Sequence, residues 1–269
     1  MRPRPLPLVG GQTNSARTQR ESGTGLTGSV DRFKNLRATG DFLTVTATHV
    51  DQGFHSSVQS ALQRIGTGTS ITRVPRGKLL YAAGSRDSNV YLVLDGYVKT
   101  TTVSISGKQC LLGIHSPGDL VGESCLLNSE HYESATAMTP ATLRRIPQSS
   151  LLKALDDQNL YGDFLRLLTR RLCEQQQFIT HLVTDNCEQR LAFALLRLAR
   201  KIGVQQPGSR VVMTQRLTQE ELAGMVGTTR SRVGFFLKNF RMRGMLEPGP
   251  GSLMTVNIPE LVRFLNTRD

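Results

Sequence analysis

The sequence is short of cysteine and of acidic residues, and it has no long apolar run. Its four cysteines are scattered and form no C-x-x-C pair, so neither a disulfide scaffold nor a zinc ribbon is predicted. No run approaches the roughly 18 apolar residues that a transmembrane helix needs. The N-terminus lacks the apolar segment of a secretory signal. We therefore expect a protein of the reducing cytoplasm without a membrane partner.

Basic residues outnumber acidic residues by a wide margin. The 269 residues include 33 Lys and Arg against 21 Asp and Glu, which gives a formal charge of +12 and a sequence pI near 10.1. An excess of this size favours a polyanionic partner, with nucleic acid first and an acidic membrane surface second. At about 150 residues per domain, the length predicts two domains.

Shifts in composition and periodicity divide the chain into four segments. Residues 1–50 are rich in Pro, Gly, Ser, Thr and Arg and are predicted as a disordered basic tail. We interpret this tail either as a passive extension or as an arm that touches DNA phosphates. Residues 51–150 carry short β-branched segments, such as 90–94 and 110–114, separated by Gly- and Pro-containing turns. This pattern predicts a sandwich or a barrel-like β-roll, and the family resemblance given below makes it an effector-type domain.

Residues 151–185 follow a helical period and are predicted as a long dimerisation helix. Apolar positions recur there at alternating spacings of three and four, which is typical of a coiled-coil seam. Two interpretations are open: the stripe packs on its own domain, or it meets a second copy of the chain, which we favour. A polar Gln175 in such a seam can fix register or oligomeric state. The seam residues are Leu165, Leu168, Leu172, Gln175, Ile179 and Leu182.

Residues 186–269 predict a winged helix-turn-helix domain. Thr218 and Glu221 form a capping box that opens a short helix, and Gly227 then allows a tight turn. A Gly- and Pro-rich stretch at 244–256 predicts the β-wing. Two short helices around a Gly-containing turn are typical of DNA-binding proteins, in which the second helix enters the major groove.

The second helix of this motif carries the residues that we expect to contact DNA. Thr228 or Thr229 caps it, and an arginine such as Arg230 can hold guanine O6 and N7 with two hydrogen bonds. Residues 210–245 contain seven basic and two acidic side chains, which is a net charge of +5. The candidate DNA-binding residues are Thr218, Thr228, Thr229, Arg230, Ser231, Arg232 and Lys238.

A β-roll, a long helix and a winged helix-turn-helix in this order resemble the Crp–Fnr family of bacterial transcription regulators. The resemblance covers about residues 55–265, and residues 228–234 are similar to the start of the family's recognition helix. The spacing of the roll glycines is also similar to that of the family's cyclic-nucleotide-binding roll. These glycines are Gly84, Gly96, Gly107, Gly118 and Gly122.

The resemblance implies an α+β fold with an N-terminal cyclic-nucleotide-binding-like jelly roll, a long dimerisation helix and a C-terminal winged helix-turn-helix. It also implies a homodimer that binds an inverted repeat in double-stranded DNA. RNA polymerase is a further partner that the family suggests.

The resemblance places an effector pocket between the roll and the long helix. In members that bind cyclic AMP, a Glu at the position of Glu123 holds the ribose, and an Arg holds the cyclic phosphate. Here the Arg position is Glu133, and a carboxylate repels a phosphodiester. Weak or no binding of cyclic AMP is predicted, so a cyclic nucleotide is disfavoured and no cofactor is assigned. The candidate pocket residues are Gly122, Glu123, Ser124, Cys125, Glu133, Ser134, Gln175 and Gln176.

Other chemistries have less support in the sequence. No cysteine precedes Cys110, so the N-terminal cluster ligands of oxygen-sensing members are lacking, and none of the five histidines is singled out as a haem ligand. Cys125 is interpreted as a redox-sensitive thiol or as a small buried hydrophobe, which we favour. No catalytic or metal-binding motif is present, so no enzyme is predicted. The alternative function is a ligand-sensing domain whose helix-turn-helix mediates protein contacts.

Overall fold

The computed structural model describes Ser60, Leu62 and residues 68–267, which belong to one compact unit. The predicted basic tail at residues 1–50 lies outside the described residues, and so do two of the candidate histidines, His49 and His55.

The N-terminal half of the described residues forms the predicted β-roll. Its eight strands make two antiparallel sheets, ordered β1-β8-β3-β6 and β2-β7-β4-β5. Apolar side chains from both sheets, including Val93, Val98 and Leu143, fill the space between them. The strands are β1 (Ser70–Val74), β2 (Leu79–Tyr81), β3 (Asn89–Asp95), β4 (Val98–Val103), β5 (Gln109–His115), β6 (Leu120–Val121), β7 (Ser134–Ala137) and β8 (Ala141–Pro147).

The turns of the roll depend on glycine. All five glycines whose spacing resembles the family's have positive φ angles, between 77° and 92°. At Gly96 a Cβ atom would also lie 2.4 Å from the Pro140 carbonyl oxygen. Only glycine fits this turn, because any side chain would meet backbone in a conformation that L-residues rarely adopt.

Two helices cover the outer face of the first sheet. Helix α1 (Cys125–Asn128) is a single turn, whereas α2 (Gln148–Asp157) and α3 (Tyr161–Thr184) are long enough to bury an apolar face. Their inner residues pack with Val90 and Leu92 of β3. Strand β3 is therefore apolar at consecutive positions, since one face meets the roll interior and the other meets these helices.

The C-terminal half is a winged helix-turn-helix, as predicted. Its sheet is antiparallel in the order β11-β12-β10-β9, and the predicted wing is the β11–β12 hairpin. The β9–β10 hairpin was not predicted, because β9 has no buried side chain and so shows no apolar alternation. The elements are α4 (Cys187–Ile202), β9 (Gly203–Gln206), β10 (Arg210–Met213), α5 (Gln219–Val226), α6 (Arg230–Met242), β11 (Leu246–Pro248), a 3-10 turn (Pro250–Ser252), β12 (Met254–Asn257) and α7 (Ile258–Asn266).

The two halves share one hydrophobic core. Leu111 and Ile114 of β5 pack in the same cluster as α4, α5 and α6. Helix α5 lies so close to β5 that a Cβ atom on Gly224 would be 2.5 Å from the Gln109 carbonyl oxygen. We therefore attribute the close approach of α5 and β5 to the absence of a side chain at Gly224.

Two polar contacts also join the roll to the C-terminal half. The Lys99 ammonium of β4 lies 2.6 Å from a carboxylate oxygen of Glu221 on α5. The Thr214 hydroxyl donates to the Ile202 carbonyl oxygen at 2.6 Å and accepts from the Tyr97 hydroxyl of the roll at 3.0 Å. The packing of α5 on the roll thus combines apolar burial with a salt bridge and a hydrogen bond.

We expect Gly224→Ala to destabilise the protein. At a helix position with free space around it, the same substitution would instead stabilise the helix by about 1 kcal/mol. The new methyl group meets a backbone carbonyl, and overpacking of this kind costs about 1–3 kcal/mol. The free energy of unfolding, measured in urea, should fall by that amount.

Gly162→Ala in α3 is the matched control, because nothing lies within 4 Å of its Cβ position. This variant should be as stable as the parent protein or slightly more stable. Equal stability of both variants would contradict the close contact at Gly224.

Candidate nucleic-acid interface and effector cleft

The helix-turn-helix begins with the predicted capping box. The Thr218 hydroxyl oxygen accepts from the Glu221 backbone N–H at 3.1 Å, and a Glu221 carboxylate oxygen accepts from the Thr218 N–H at 2.9 Å. Both bonds satisfy donors that a helix start otherwise leaves free. Gly227 then ends α5 in the left-handed region, with φ of 68°.

Thr229 caps the second helix of the motif. Its hydroxyl oxygen accepts from the Arg232 backbone N–H at 3.4 Å. The hydroxyl of Thr228 is buried and has no hydrogen-bond partner among the described residues. Both threonines were predicted to contact DNA. Thr229 is exposed, but the hydroxyl of Thr228 is buried and therefore does not face a ligand at the surface.

The start of α6 is an exposed basic surface. Arg230, Ser231, Arg232 and Lys238 are all exposed, and α6 contains no acidic residue. None of these three cations forms an ion pair with the part of the chain that the structure describes. A helix N-terminus that carries unpaired cations suits a phosphate-rich ligand.

A cleft of about 420 Å³ lies between the β-roll, α3 and α4. Five of the eight predicted pocket residues line it. Cys125, Ser134 and Gln176 do not line it, and Ser134 instead accepts a hydrogen bond from the Ala83 N–H at 2.9 Å. The predicted residues that line the cleft are Gly122, Glu123, Ser124, Glu133 and Gln175.

The side chain of Arg171 on α3 reaches into this cleft and forms an ion pair with the carboxylate of Glu123. Its Nη1 donates to Glu123 Oε1, and its Nη2 donates to the Leu120 carbonyl oxygen at 2.8 Å. Burial lowers the pKa of the Arg171 guanidinium, but the nearby carboxylates of Glu123 and Asp119 outweigh burial and raise it. A permanent cation thereby ties the long helix to the segments 122–126 and 133–135, which we call the cassette.

Sequence reasoning missed Arg171, although a signal was present. Phe164, Leu167, Arg171, Glu174 and Phe178 recur at spacings of three and four, which is a second stripe beside the seam. Phe164 and Leu167 of this stripe are buried against the roll. An arginine that continues such an inward stripe is a candidate for a buried polar contact.

Glu133 is held in place by Tyr81. The Tyr81 hydroxyl donates to Glu133 Oε1 at 2.9 Å, and burial followed by the charge of Glu133 raises the pKa of Tyr81. The Tyr81 ring stacks on the fully buried His131 with centroids 3.7 Å apart. A Cβ atom on Gly122 would lie 2.9 Å from His131 Cε1, so the cassette needs glycine at this position.

The other cations around the cleft already have carboxylate partners. Arg197 lies 3.3 Å from Glu174, and Lys201 lies 3.2 Å from Asp119. Burial, assisted by the charge of Lys201, lowers the pKa of His115 to about 3, so this ring is neutral at physiological pH. The cleft thus combines an apolar lining with charged groups, and each of its three cations is matched by a carboxylate.

The geometry at Cys125 supports the hydrophobic interpretation of this residue. The side chain is fully buried, and burial raises the pKa of the thiol to about 11. A thiol that stays protonated is a poor nucleophile. No three potential ligands converge as a metal site within the described residues.

Four of the six predicted seam residues of α3 face outward, whereas Leu168 packs against the core of its own domain and Leu182 is half-buried. Leu165, Leu172 and Ile179 are 64%, 53% and 57% exposed, and Gln175 is exposed as well. These residues do not pack on their own domain, so the first of the two interpretations fails for them.

Within the described residues, no helix is both long and apolar enough to cross a membrane.

Both halves of the chain match known families. A family model of the cyclic nucleotide-binding domain matches residues 71–158, and one of the Crp-like helix-turn-helix domain matches residues 189–264. The CRP-like cAMP-activated global transcriptional regulator of Mycobacterium tuberculosis is 30% identical over 191 residues, which are 70% of this chain and 85% of that relative. The chain belongs to the Crp–Fnr family.

Two other similar proteins agree with this Crp–Fnr assignment. The anaerobic regulatory protein of Aggregatibacter actinomycetemcomitans is 26% identical over 200 residues, which are 72% of this chain and 76% of that protein. A solved CRP/FNR-family transcriptional regulator of Thermus thermophilus is 25% identical, with a TM-score of 0.60, and the match covers 74% of this chain and all of that one. The Crp–Fnr protein is thus a DNA-binding transcription regulator with the predicted α+β fold.

Glu221 gives the Crp–Fnr protein a testable pH dependence. Burial raises the pKa of this carboxyl, but hydrogen bonds from Lys99 and Thr218 outweigh burial and hold the pKa below its usual 4.5. A carboxyl with a depressed folded-state pKa adds stability above its unfolded pKa and loses it as the pH falls through the folded value. We expect Glu221→Gln to lower the free energy of unfolding by about 1–3 kcal/mol at pH 7. The difference from the parent should shrink between about pH 5 and pH 3.

Glu220→Gln is the matched control, since Glu220 is the exposed neighbour in the same helical turn. Urea titrations across this pH range should show little effect of the control substitution. A loss that is constant with pH, or equal in both variants, would contradict the role of the Glu221 charge.

Proposed function

We propose that this Crp–Fnr protein is a homodimer that binds an inverted-repeat operator and does so without cyclic AMP. The observation that carries the proposal is the exposed, acid-free start of α6. The hydrophobic core fixes the opposite face of this helix through Val233, Leu237 and Phe240. A rigidly held basic helix is suited to direct readout in the major groove.

The exposed seam of α3 supports a dimer. The helix has 24 residues, which corresponds to a length of about 36 Å. Its inner stripe packs on the roll, while the seam leaves Leu165, Leu172 and Ile179 in water. A second copy that pairs along the seam would remove this apolar surface from water. Dimer symmetry then requires a symmetric DNA site with half-sites one helical turn apart.

The charges in the cleft oppose cyclic AMP. Glu133 presents a carboxylate where the cyclic-AMP-binding members have an arginine, and Tyr81 holds it there. Glu123, the counterpart of their ribose-binding residue, is engaged by Arg171. A cyclic phosphodiester would therefore meet a like charge, and its ribose would have to displace a half-buried ion pair. An effector that binds through Glu123 has to compete with Arg171 for this carboxylate.

Selection from random duplex DNA with purified, effector-free protein tests the proposal. We expect enrichment of an inverted repeat whose half-site centres are about 10–11 base pairs apart. Cyclic AMP at millimolar concentration should not change the affinity for the selected site. Arg230→Ala should weaken binding by about 1–3 kcal/mol and relax preference at one position of each half-site.

Arg263→Ala on α7 is the control, because this exposed arginine lies outside the helix-turn-helix. The control should keep the selected sequence unchanged. Failure to enrich any sequence, together with salt-independent DNA binding, would favour the alternative in which the helix-turn-helix contacts protein. A requirement for cyclic AMP would overturn the account of Glu133.

The dimer is tested by a charge placed in the seam. Leu172→Glu puts two carboxylates into the apolar contact, so the dissociation constant of the dimer should rise at least about tenfold, given the cost of burying a charge. Sedimentation velocity at micromolar concentration should then detect monomer.

Thr180→Glu provides the control on the same helix, because Thr180 is exposed but follows the seam residue Ile179 by one position and so points away from it. This variant should remain dimeric. If both variants keep the parent's oligomeric state, the seam is not the dimer interface.

A further inference from the structure

Helix α6 exposes large apolar side chains on the side turned away from its core. Ser231, Phe235, Lys238 and Met242 lie one above another at helical spacings of four, three and four, and we call this stripe the outer face of α6. Phe235 is 61% exposed and Met242 is 70% exposed. The buried stripe of Val233, Leu237 and Phe240 occupies the opposite side of the helix.

The Phe235 ring is positioned by its neighbour. It contacts the half-buried Phe236 edge to face, with ring centroids 5.8 Å apart and an angle of 64° between the rings. An aromatic side chain has few rotamers, so the ring loses little side-chain entropy when a partner binds it. Phe235 is therefore a preformed apolar contact at the surface.

Charge around the ring identifies the kind of partner. Helix α6 carries Arg230, Arg232, Lys238 and Arg241 and has no acidic residue. An exposed phenyl ring on a helix whose charged side chains are all cationic matches a polyanion that also offers apolar groups. Duplex DNA fits this description, because each thymine presents its C5-methyl group in the major groove between two phosphate backbones.

We propose that Phe235 determines operator specificity by packing on a thymine methyl group. The inference rests on the proposed function, since it requires α6 to read an operator. Ser231 precedes Phe235 by one helical turn, which is about 6 Å along the axis. With base pairs about 3.4 Å apart, the thymine lies about two base pairs from the base that the first turn of α6 contacts.

Thymine-to-deoxyuridine replacement tests the contact, because deoxyuridine keeps the pairing edge and lacks only the methyl group. Each thymine of the selected operator is replaced in turn, symmetrically in both half-sites, and the dissociation constant is measured by fluorescence anisotropy at fixed salt. One thymine should stand out. Its replacement in both half-sites should weaken dimer binding about fifteenfold, because the burial of each of the two methyl groups corresponds to a factor of about four.

Substitution of Phe235 then closes a double-mutant cycle. Phe235→Ala should bind the thymine and deoxyuridine operators equally, since the ring that distinguishes them is gone. Arg230→Ala should keep the deoxyuridine effect while losing affinity. Met242→Ala is the matched control, because Met242 is the other large apolar side chain of the outer face but lies at the far end of α6.

The outcomes separate the two hypotheses. If no operator is selected, the proposed function has failed. If an operator is selected but no thymine depends on its methyl group, or the dependence persists in Phe235→Ala, this inference is overturned while the proposed function stands. Unchanged operator binding by Phe235→Ala, together with loss of binding to purified RNA polymerase, would also overturn it and make the ring a protein contact.

Discussion

The contact between helix α5 and strand β5 is the constraint on which the arrangement of the two halves depends. It places Leu111 and Ile114 of the roll in the same core as the helix-turn-helix, and it relies on Gly224 for close backbone approach. Glu221 joins local and long-range structure here, since one carboxylate caps α5 and pairs with Lys99 of β4. The cap at the start of α5 and the attachment of α5 to the roll therefore both depend on Glu221.

The cleft resembles an effector site in place but not in charge. Arg171 from the long helix donates to Glu123, and the Tyr81 hydroxyl donates to Glu133. The same helix carries the seam, so Arg171 links the cassette to the surface that we assign to the second copy. Leu172 is the next residue along α3, so the contact with Glu123 and the seam are separated by a single residue.

Local patterns in the sequence were sufficient for the elements with strong periodicity or caps. The turn glycines of the roll, the capping box at Thr218 and the wing were predictable, because each depends on neighbouring residues. The β9–β10 hairpin was not, since its exposed strand buries no side chain and leaves no alternation to detect. Arg171 and Gly224 escaped for another reason. Their partners, Glu123 and Gln109, are distant in sequence, and only the folded chain brings them together.

The stacked rings of Tyr81 and Tyr91 beside the cleft also give the protein a spectroscopic signal. The chain has no tryptophan and five tyrosines, so tyrosine is its main near-ultraviolet chromophore. Tyr81 and Tyr91 stack with centroids 5.7 Å apart, and each donates a hydrogen bond to a carboxylate, Tyr81 to Glu133 and Tyr91 to Asp87. Near-ultraviolet circular dichroism reports such fixed aromatic packing. Tyr81 therefore acts as an intrinsic probe of the cleft. A ligand that moves Glu133 would change the environment of the Tyr81 ring and so its near-ultraviolet circular dichroism.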